Sequence, residues 1–511
     1  MQRSREIHTT DGRRTARRIP FDFGRLRSAL LVVVAGLIVG TQIFKPTKRV
    51  IEAIVGVVLL AVMWNFSTLA AVWFVAVMYP FPFAISLGNS NFVLVLLIFI
   101  IYLIRVSSGK MTITFDRRIR LPVVLLMLAY LASFLNVDPT SRLLRFGLVN
   151  TGNFFAAVVF MFMIVNMVDD EDKLRQTVRF MLVGATLVIA FTIIEILFPG
   201  RTIIPNWLYT RHKTALIMKG LRMGGPFHDF ELVAEFFAMN AIIMFFMMIR
   251  TRRLLHRSVF ASLLVVDMMM MFSTITRGAF ISLGIGMVYL LFLSRKELDI
   301  VRFVSIVGAV ALMIFVIEFF VARYTTSGSL FDRLFTTTFE RGVVPYNRVA
   351  AWSGAIERGM QHPLLGNGPG WDFERGLSVG LWPHNVYLFY FNITGIFGLF
   401  AFLFLLYRLG RMSLGGIHAS LANSPFPEAL MKILHVCFVM FVIDQIKIEY
   451  LRNDRYVFFV WMFFGLIIAT SNVIEKQRAA AEAAAALASA ANAGAPPAAA
   501  PPGRTNGGPP V

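Results

Sequence analysis

Long apolar segments alternate with short polar ones along almost the whole chain. Many of the apolar segments approach the roughly 20 residues that an α-helix needs to cross a bilayer. Peptide groups in lipid find no water and must be hydrogen-bonded within their own segment, so such segments form helices. The pattern predicts an all-α polytopic membrane protein with about 12–14 transmembrane helices. The predicted segments are 28–44, 49–64, 66–82, 91–105, 120–136, 150–168, 177–198, 230–249, 257–273, 277–294, 300–321, 386–408, 428–445 and 455–473.

The longest polar interval of the chain covers about residues 324–385. Near its centre, apolar side chains recur every three or four residues, which predicts a short helix with one apolar face. A turn rich in glycine and proline follows at 366–370, and Pro383-His384-Asn385 precedes the next apolar segment. We interpret the interval as a partly helical loop that forms the lid or wall of an active site. The residues of the apolar face are Val349, Trp352, Ile356 and Met360.

The formal net charge of +20 resides largely in short loops and in the N-terminal arm. Cytoplasmic loops of membrane proteins are enriched in Lys and Arg, so this charge needs no nucleic-acid partner. If both termini lie in the cytoplasm, most basic loops fall inside, while the loops 199–229, 274–277, 324–385 and 446–454 fall outside. The basic loops that this topology places inside are 105–120, 250–257 and 408–411.

The same pattern divides the chain into three regions. Residues 1–27 form a basic cytoplasmic arm, and residues 28–473 form the transmembrane domain. Residues 474–511 are rich in Ala, Pro and Gly and cannot bury a core, so they predict a disordered cytoplasmic tail.

Two arginines lie at predicted outer boundaries, against the usual orientation bias. Arg277 sits at the outer end of an apolar segment, and Arg222 lies in the loop 199–229. Guanidinium groups form charge-assisted, often bidentate hydrogen bonds with phosphate oxygens, which points to an anionic ligand at headgroup depth. The alternative from the residues alone is interfacial snorkelling or a local ion pair.

His384 lies at the entrance of an apolar segment, where Asn385 can cap the helix and the imidazole can face outside. A histidine near neutral pKa can take or hold the proton of an attacking hydroxyl, although a structural hydrogen bond is the alternative. Asp267 lies within an apolar segment and is a further candidate, because intramembrane carboxylates are costly. Nothing in the sequence predicts a metal or another cofactor, since the single Cys437 is in an apolar run and no zinc-type histidine pair or phosphate loop is present.

Four motifs in order resemble the O-antigen ligase and polymerase superfamily. Ser273-Thr-Ile-Thr-Arg277-Gly-Ala-Phe resembles its Ser-x-x-Arg helix start. Arg348-Val-Ala-Ala-Trp352 with His362-Pro-Leu-Leu-Gly366-Asn-Gly-Pro-Gly is similar to its large periplasmic loop, and Pro383-His384-Asn385-Val-Tyr387 with Gly395-Ile-Phe-Gly398 to its His-Asn element. Arg222-Met-Gly-Gly-Pro-Phe-His-Asp resembles its preceding loop, but Asp229 departs from the usual Asn or Pro. The resemblance covers residues 200–410.

This resemblance implies a GT-C-like membrane glycosyltransferase in the bacterial inner membrane. Its reaction would be a metal-independent, inverting transfer at the periplasmic face, from a glycan on undecaprenyl diphosphate to an acceptor hydroxyl. Carried over by residue, Arg277 and Arg222 would hold the diphosphate, and His384 would orient or deprotonate the acceptor. Arg348 would contact the donor or fix the loop helix.

The acceptor stays open between lipid A-core, a protein hydroxyl and another glycan. A polymerase that joins lipid-linked repeat units, for O-antigen or exopolysaccharide, is one alternative. A transporter or flippase of lipid-linked sugars is an alternative from another class, but the candidate residues gather on one side and no internal repeat is visible.

Overall fold

A computed structural model describes residues 64, 67–82, 84–85, 88–198, 223–274, 276–295, 346–370 and 382–493. From Ser67 onward these residues belong to one compact unit. They fold into twelve α-helices and one β-hairpin with two residues in each strand, which confirms the predicted all-α polytopic class. The helices are α1 (Thr68–Met78), α2 (Ser90–Ser107), α3 (Arg117–Ser133), α4 (Arg142–Met167), α5 (Glu171–Leu197), α6 (Phe230–Arg250), α7 (Leu254–Ser273), α8 (Arg277–Ser294), α9 (Tyr346–Gly359), α10 (Val386–Ser413), α11 (Phe426–Asp444) and α12 (Asp454–Ala493).

Ten helices in the described part of the chain are long and apolar enough to cross a membrane, all but α1 and α9. The hairpin pairs β1 (Ala84–Ile85) with β2 (Gly88–Asn89) in antiparallel fashion. The predicted arm at 1–27 and the segments 28–44 and 300–321 lie outside the described residues. Helix α12 continues past residue 474 to Ala493 and is exposed over 475–489, and the rest of the predicted tail also lies outside the described residues.

Three helices form the centre of the bundle. In α6, α11 and α12, 83%, 78% and 94% of the most apolar window is buried, against 22% in α7 and 33% in α8. The central helices therefore pack against protein on nearly all sides, whereas α7 and α8 turn large apolar faces outward. A helix that is apolar all round belongs in such a centre.

Side-chain caps fix where the helices of the site begin. Asp229 precedes α6 and accepts hydrogen bonds from the Glu231 and Leu232 amides at 2.9 and 3.0 Å. The predicted cap at Asn385 is confirmed: its side chain accepts from the Tyr387 and Leu388 amides, both at 3.0 Å. Each cap satisfies amides that have no partner inside the helix.

The predicted loop helix is present as α9, but its buried face differs from the apolar one. Val349 and Ile356 are half exposed, while Ala351 and Ala355 are buried. A Cβ on Gly359 would lie 2.6 Å from Phe391 Cδ1, so small residues let α9 approach α10 closely. Close packing is reached through the small side chains, and Val349, Ile356 and Met360 remain outward, while Trp352 is partly buried.

Helix α10 is broken within its first third. Gly395 has φ 65° and ψ −164°, outside the helical region. The turn that follows α9 enters this break: the Asn367 and Gly368 amides donate to the Asn392 and Ile393 carbonyl oxygens at 2.8 and 3.0 Å. In return, the Ile396 amide donates to the Pro363 carbonyl oxygen at 2.8 Å. The loop thus satisfies peptide groups that the break removes from the helix.

The two backbones meet at a pair of glycines with positive φ. A Cβ on Gly366 would lie 2.5 Å from the Gly395 nitrogen, and a Cβ on Gly395 would lie 2.6 Å from the Leu365 nitrogen. Neither position has room for a side chain, and both have a backbone conformation that favours glycine.

We expect Gly395→Ala to lower the unfolding temperature of the purified protein. A non-glycine residue in this conformation costs about 1–3 kcal/mol, and the steric contact with the loop adds to it. The control is Gly415→Ala, where a Cβ meets nothing within 4 Å and φ is not positive. Thermal unfolding in detergent checks this, and equal stability of the two variants would contradict the role of the break.

Candidate active site

The starts of α6, α8 and α10 and the turn between α11 and α12 lie at one end of the bundle. At the centre of this end is Arg452, whose side chain is only 4% exposed. Its guanidinium lies 2.7 Å from Asp229, 2.9 Å from Glu231 and 3.3 Å from Glu449. Burial alone disfavours the charge, but the three acidic neighbours outweigh it and hold the pKa of Arg452 above its usual value. Arg452 therefore stays charged and joins α6 to the turn.

Glu231 is shared between two arginines. Its Oε2 accepts a hydrogen bond from Arg452 Nη2 at 2.9 Å, and its Oε1 accepts one from Arg348 Nη2 at 2.7 Å. Arg348 Nη1 also donates to the Lys447 carbonyl oxygen at 3.1 Å. Both Nη atoms of the Arg348 guanidinium thus contact protein. They attach the loop helix α9 to α6 and to the turn between α11 and α12.

Arg277 is brought to the same end by its neighbours in sequence. Thr276 donates from its hydroxyl to the Phe230 carbonyl oxygen at 3.0 Å, which ties the start of α8 to the start of α6. A Cβ on Gly278 would lie 2.6 Å from Lys447 Cε, so the Lys447 side chain passes directly over the start of α8. Lys447 in turn forms an ion pair with Asp444. Three cationic residues, Arg277, Arg348 and Lys447, are therefore neighbours at this end.

His384 is held in an uncommon backbone conformation, with φ 46°. The residues on its C-terminal side fix it there: Asn385 Nδ2 donates to the Ile446 carbonyl oxygen at 3.0 Å, and the Val386 amide to that of Gln445 at 2.9 Å. Positive φ is uncommon for a residue other than glycine, although histidine adopts it more often than most, and these contacts hold His384 in that conformation.

The imidazole of His384 has one engaged nitrogen and one open nitrogen. Its Nδ1 lies 3.1 Å from Arg452 Nη1 and 3.5 Å from Glu231 Oε2. No described residue hydrogen-bonds to Nε2, and the side chain is 33% exposed. Nδ1 thus faces the buried ion pairs, and the ring retains a nitrogen for a group from outside the protein.

Glu449 is the acid of this cluster that is most easily protonated. It is fully buried, and burial raises its pKa to about 7 even though Arg452, His384 and a hydrogen bond from Trp382 Nε1 favour the charged form. Its Oε2 has no hydrogen-bond partner among the described residues. The site can therefore gain or lose a proton near neutral pH.

Of the predicted site residues, the structure brings Arg277, Arg348 and His384 to one end of the bundle. Arg222 lies outside the described residues. Asp267 is fully buried in α7, away from these ion pairs, and neither of its carboxylate oxygens has a hydrogen-bond partner in the described part of the chain. Within the described residues, no group of three His, Cys, Asp or Glu is placed to hold a metal ion.

Three residues of the cluster were not predicted from the sequence: Arg452, Glu231 and Glu449. A signal for Arg452 was available, because it lies with Lys447 in a short loop on the predicted outer side. That is the same departure from the orientation bias that identified Arg277. Glu231 carries no comparable signal, since its partners Arg348 and Arg452 are 117 and 221 residues away. Glu449 lies only three residues before Arg452, but its other partner Trp382 is 67 residues away.

We expect Arg452→Ala to destabilise the protein far more than Arg348→Ala. Loss of the buried Arg452 leaves three acids without their common partner, and breaking a buried pair costs about 3–5 kcal/mol. Arg348 is 24% exposed, and Glu231 keeps Arg452 when Arg348 is removed. Unfolding temperatures of the two variants in detergent test this ranking, and the reverse order would overturn the assignment of Arg452 as the centre of the cluster.

The raised pKa of Glu449 predicts a loss of stability between about pH 4.5 and pH 7. Above pH 4.5 the unfolded chain releases this proton while the folded protein retains it, so the unfolding free energy falls as pH rises. The loss ends near pH 7, where both states are charged, and amounts to about 3 kcal/mol at 1.36 kcal/mol per pKa unit. Glu449→Gln should flatten this part of the stability curve, measured as unfolding temperature against pH. A parallel curve for the variant would count against a protonated Glu449.

Residues 260–403 match the family model described as O-antigen ligase. The matched range contains Arg277, Arg348 and His384, the three predicted residues that the structure gathers at one end of the bundle. No curated protein sequence matches the chain. The match confirms the resemblance found in the sequence: residues 260–403 of this polytopic membrane protein are similar to the O-antigen ligase family.

Proposed function

We propose that the protein is an O-antigen-ligase-type glycosyltransferase of the bacterial inner membrane. It transfers a glycan from undecaprenyl diphosphate to an acceptor hydroxyl at the periplasmic face, with inversion and without a metal ion. The observation that carries this proposal is the meeting of Arg277, Arg348 and Lys447 with the open nitrogen of His384 in an O-antigen ligase domain.

The cationic residues account for the donor side of the reaction. As the glycosidic bond breaks, negative charge grows on the departing diphosphate. Arg277 begins α8, so its guanidinium and the helix N-terminus both favour an anion at this place. Cations aimed at the leaving oxygen stabilise the transition state more than the ground state, which lowers the barrier. Arg348 contributes by fixing α9 beside this site, and Lys447 contributes its charge over the start of α8.

His384 accounts for the acceptor side. Arg452 Nη1, 3.1 Å from Nδ1, can only donate, so His384 acts as a base when its Nδ1–H instead donates to Glu231 Oε2, 3.5 Å away; the Nε2 lone pair then faces the acceptor hydroxyl and can take its proton. The acceptor oxygen then forms the new bond to the anomeric carbon, the bond from that carbon to the diphosphate oxygen breaks, and the resulting imidazolium is stabilised by Glu231. A glutamate that orients a histidine and balances its charge is the arrangement that general-base catalysis requires. The acceptor is lipid A-core, a protein hydroxyl or another glycan.

The proposal is tested with the purified full-length protein in detergent, a polyprenyl-diphosphate glycan and a chelator. Release of the lipid diphosphate is followed with acceptors added one at a time, for the wild type, Arg277→Ala and His384→Ala. We expect turnover to survive the chelator and to fall at least about a hundredfold in each variant, the range typical of a lost general base or charge stabiliser. Arg411→Ala, in the last turn of α10 far from the site, is the matched control.

The acceptor that gives product distinguishes a ligase from a polymerase, since only a polymerase extends a lipid-linked repeat unit. Activity that persists in both variants would place the active site elsewhere. Movement of the lipid across vesicles without release of the diphosphate would favour the transporter instead.

A further inference from the structure

A cavity lined by arginines lies at the opposite end of the bundle from the candidate active site. It has a volume of about 330 Å³ and lies between the start of α3, the end of α10, the beginning of α11 and α12. From Val386 to Arg408, α10 covers about 33 Å at 1.5 Å per residue, roughly the thickness of the hydrocarbon core. The cavity is therefore at the other membrane surface, the one that the basic loops predict to be cytoplasmic. The arginines of its lining are Arg118, Arg408, Arg411 and Arg478.

Two of these arginines are neutralised by acids. Arg118 Nε and Nη2 donate to the two carboxylate oxygens of Asp116 at 3.0 and 2.7 Å, and Arg118 Nη1 is paired with Glu475. Arg478 Nη2 lies 3.1 Å from Glu428 Oε1. These pairs join α12 to α3 and to α11, so both guanidinium groups are engaged by the protein itself.

Arg408 is not neutralised in this way. Its Nε donates to the Arg118 carbonyl oxygen at 2.6 Å, which fixes the guanidinium at the wall of the cavity. Its two Nη atoms have no hydrogen-bond partner among the described residues. This edge therefore offers two neighbouring N–H groups, the arrangement that binds two oxygens of one phosphate. Arg411, one turn further along α10, adds a second positive charge beside the cavity.

The cavity has room for more than a single ion. Its volume is that of about eleven water molecules in the liquid. Gly415 leaves part of the lining open, because a Cβ there would meet nothing within 4 Å. Beside the arginines, the buried side chains of Met431 and Ile474 give the lining an apolar part. A phosphate that carries an apolar group matches this combination better than a bare phosphate does.

We propose that this cavity binds the phosphate of an anionic phospholipid from the surrounding leaflet. The phosphate lies at the Nη edge of Arg408, and the glycerol lies beside Met431 and Ile474. Basic pockets between membrane helices at the cytoplasmic surface are suited to such head groups. The inference does not depend on the proposed function, because the cavity and the candidate active site lie at opposite membrane surfaces.

The alternative is a general attraction of basic residues to an anionic membrane surface, which would act on every exposed arginine at this end. Arg120 distinguishes the two, since it is exposed in the first turn of α3 and lies outside the cavity lining. A cavity site predicts that removing Arg408 weakens binding of the lipid and that removing Arg120 does not.

Binding of phosphatidylglycerol and of phosphatidylcholine to the purified full-length protein in detergent is measured by native mass spectrometry. The proteins compared are the wild type, Arg408→Gln and the matched control Arg120→Gln. We expect Arg408→Gln to raise the Kd for phosphatidylglycerol about tenfold, while Arg120→Gln stays like the wild type. Phosphatidylcholine, which has no net charge, should bind the wild type more weakly and bind all three proteins alike. Equal losses in the two variants would indicate general surface attraction and overturn the inference.

Gly415→Trp tests the cavity without changing a charge or the hydrogen bond from Arg408 to Arg118. The indole fills the cavity from a position with room for a side chain, so the Kd for phosphatidylglycerol should again rise about tenfold. The control of equal size is Leu254→Trp at the start of α7, where the native side chain is 80% exposed and outside the lining. This pair decides the question if Arg408→Gln fails to fold.

Glycerol 3-phosphate and inorganic phosphate distinguish the lipid from a soluble source of the same chemical group. We expect neither to displace phosphatidylglycerol from the wild type at concentrations near the Kd of the lipid. Displacement by either one at such concentrations would assign the cavity to a soluble phosphate and overturn the lipid assignment. Phosphatidylglycerol binding that is unchanged in Gly415→Trp would also overturn the inference.

Discussion

Peptide groups inside a bilayer must be hydrogen-bonded, and this requirement connects the loop of the protein to its membrane domain. The break at Gly395 removes carbonyl and amide groups from the hydrogen-bond ladder of α10, and the turn at 363–368 satisfies them. Asn136 at the end of α3 fixes the turn from the other side, where its Nδ2 donates to the Gly366 carbonyl oxygen at 2.7 Å. The position of α9, and through it that of Arg348, follows from this backbone pairing. The turn is therefore bonded to the membrane helices from two sides.

The charges of the candidate site divide into a buried group that holds the structure and a more exposed group that includes Arg348 and Lys447. Arg452 and its acids are nearly inaccessible, so their main effect is to join α6 to the turn at 445–453. His384 lies at the boundary between the two groups, with one nitrogen towards the ion pairs and the other outward. The acids offset the buried positive charge of Arg452, so this end of the bundle gathers several cations without a large excess of mutually repelling charge.

The fold class and much of the site were predictable from local sequence. Apolar segments longer than any soluble core helix requires indicate membrane helices, and Asn385 before such a segment indicates its cap. Arg277 could be identified because a basic residue at the predicted outer boundary departs from the enrichment of Lys and Arg on the cytoplasmic side. Two of the three acidic partners of Arg452 were not predictable, since Asp229 and Glu231 lie more than two hundred residues away in sequence and carry no pattern of their own.

The break at Gly395 was also not predictable from the local sequence. Glycine is ordinary in membrane helices, so the sequence alone does not distinguish a flexible position from a true interruption. The interruption depends on the loop that enters it, and so does the buried face of α9. There the apolar periodicity predicted the helix but not its orientation, because the close approach to α10 selects alanine and glycine over larger side chains.

The pairing of loop and broken helix also bears on biosynthesis. The turn at 363–368 precedes α10 in the chain, so it is translated before the helix whose open peptide groups it completes. The two partners are separated by only about thirty residues, a short loop to close, and its entropic cost is correspondingly small. The interrupted helix can thus complete its hydrogen bonding as it enters the membrane. Asn136 precedes both the turn and α10 in the chain, so it is already synthesised when the turn contacts it.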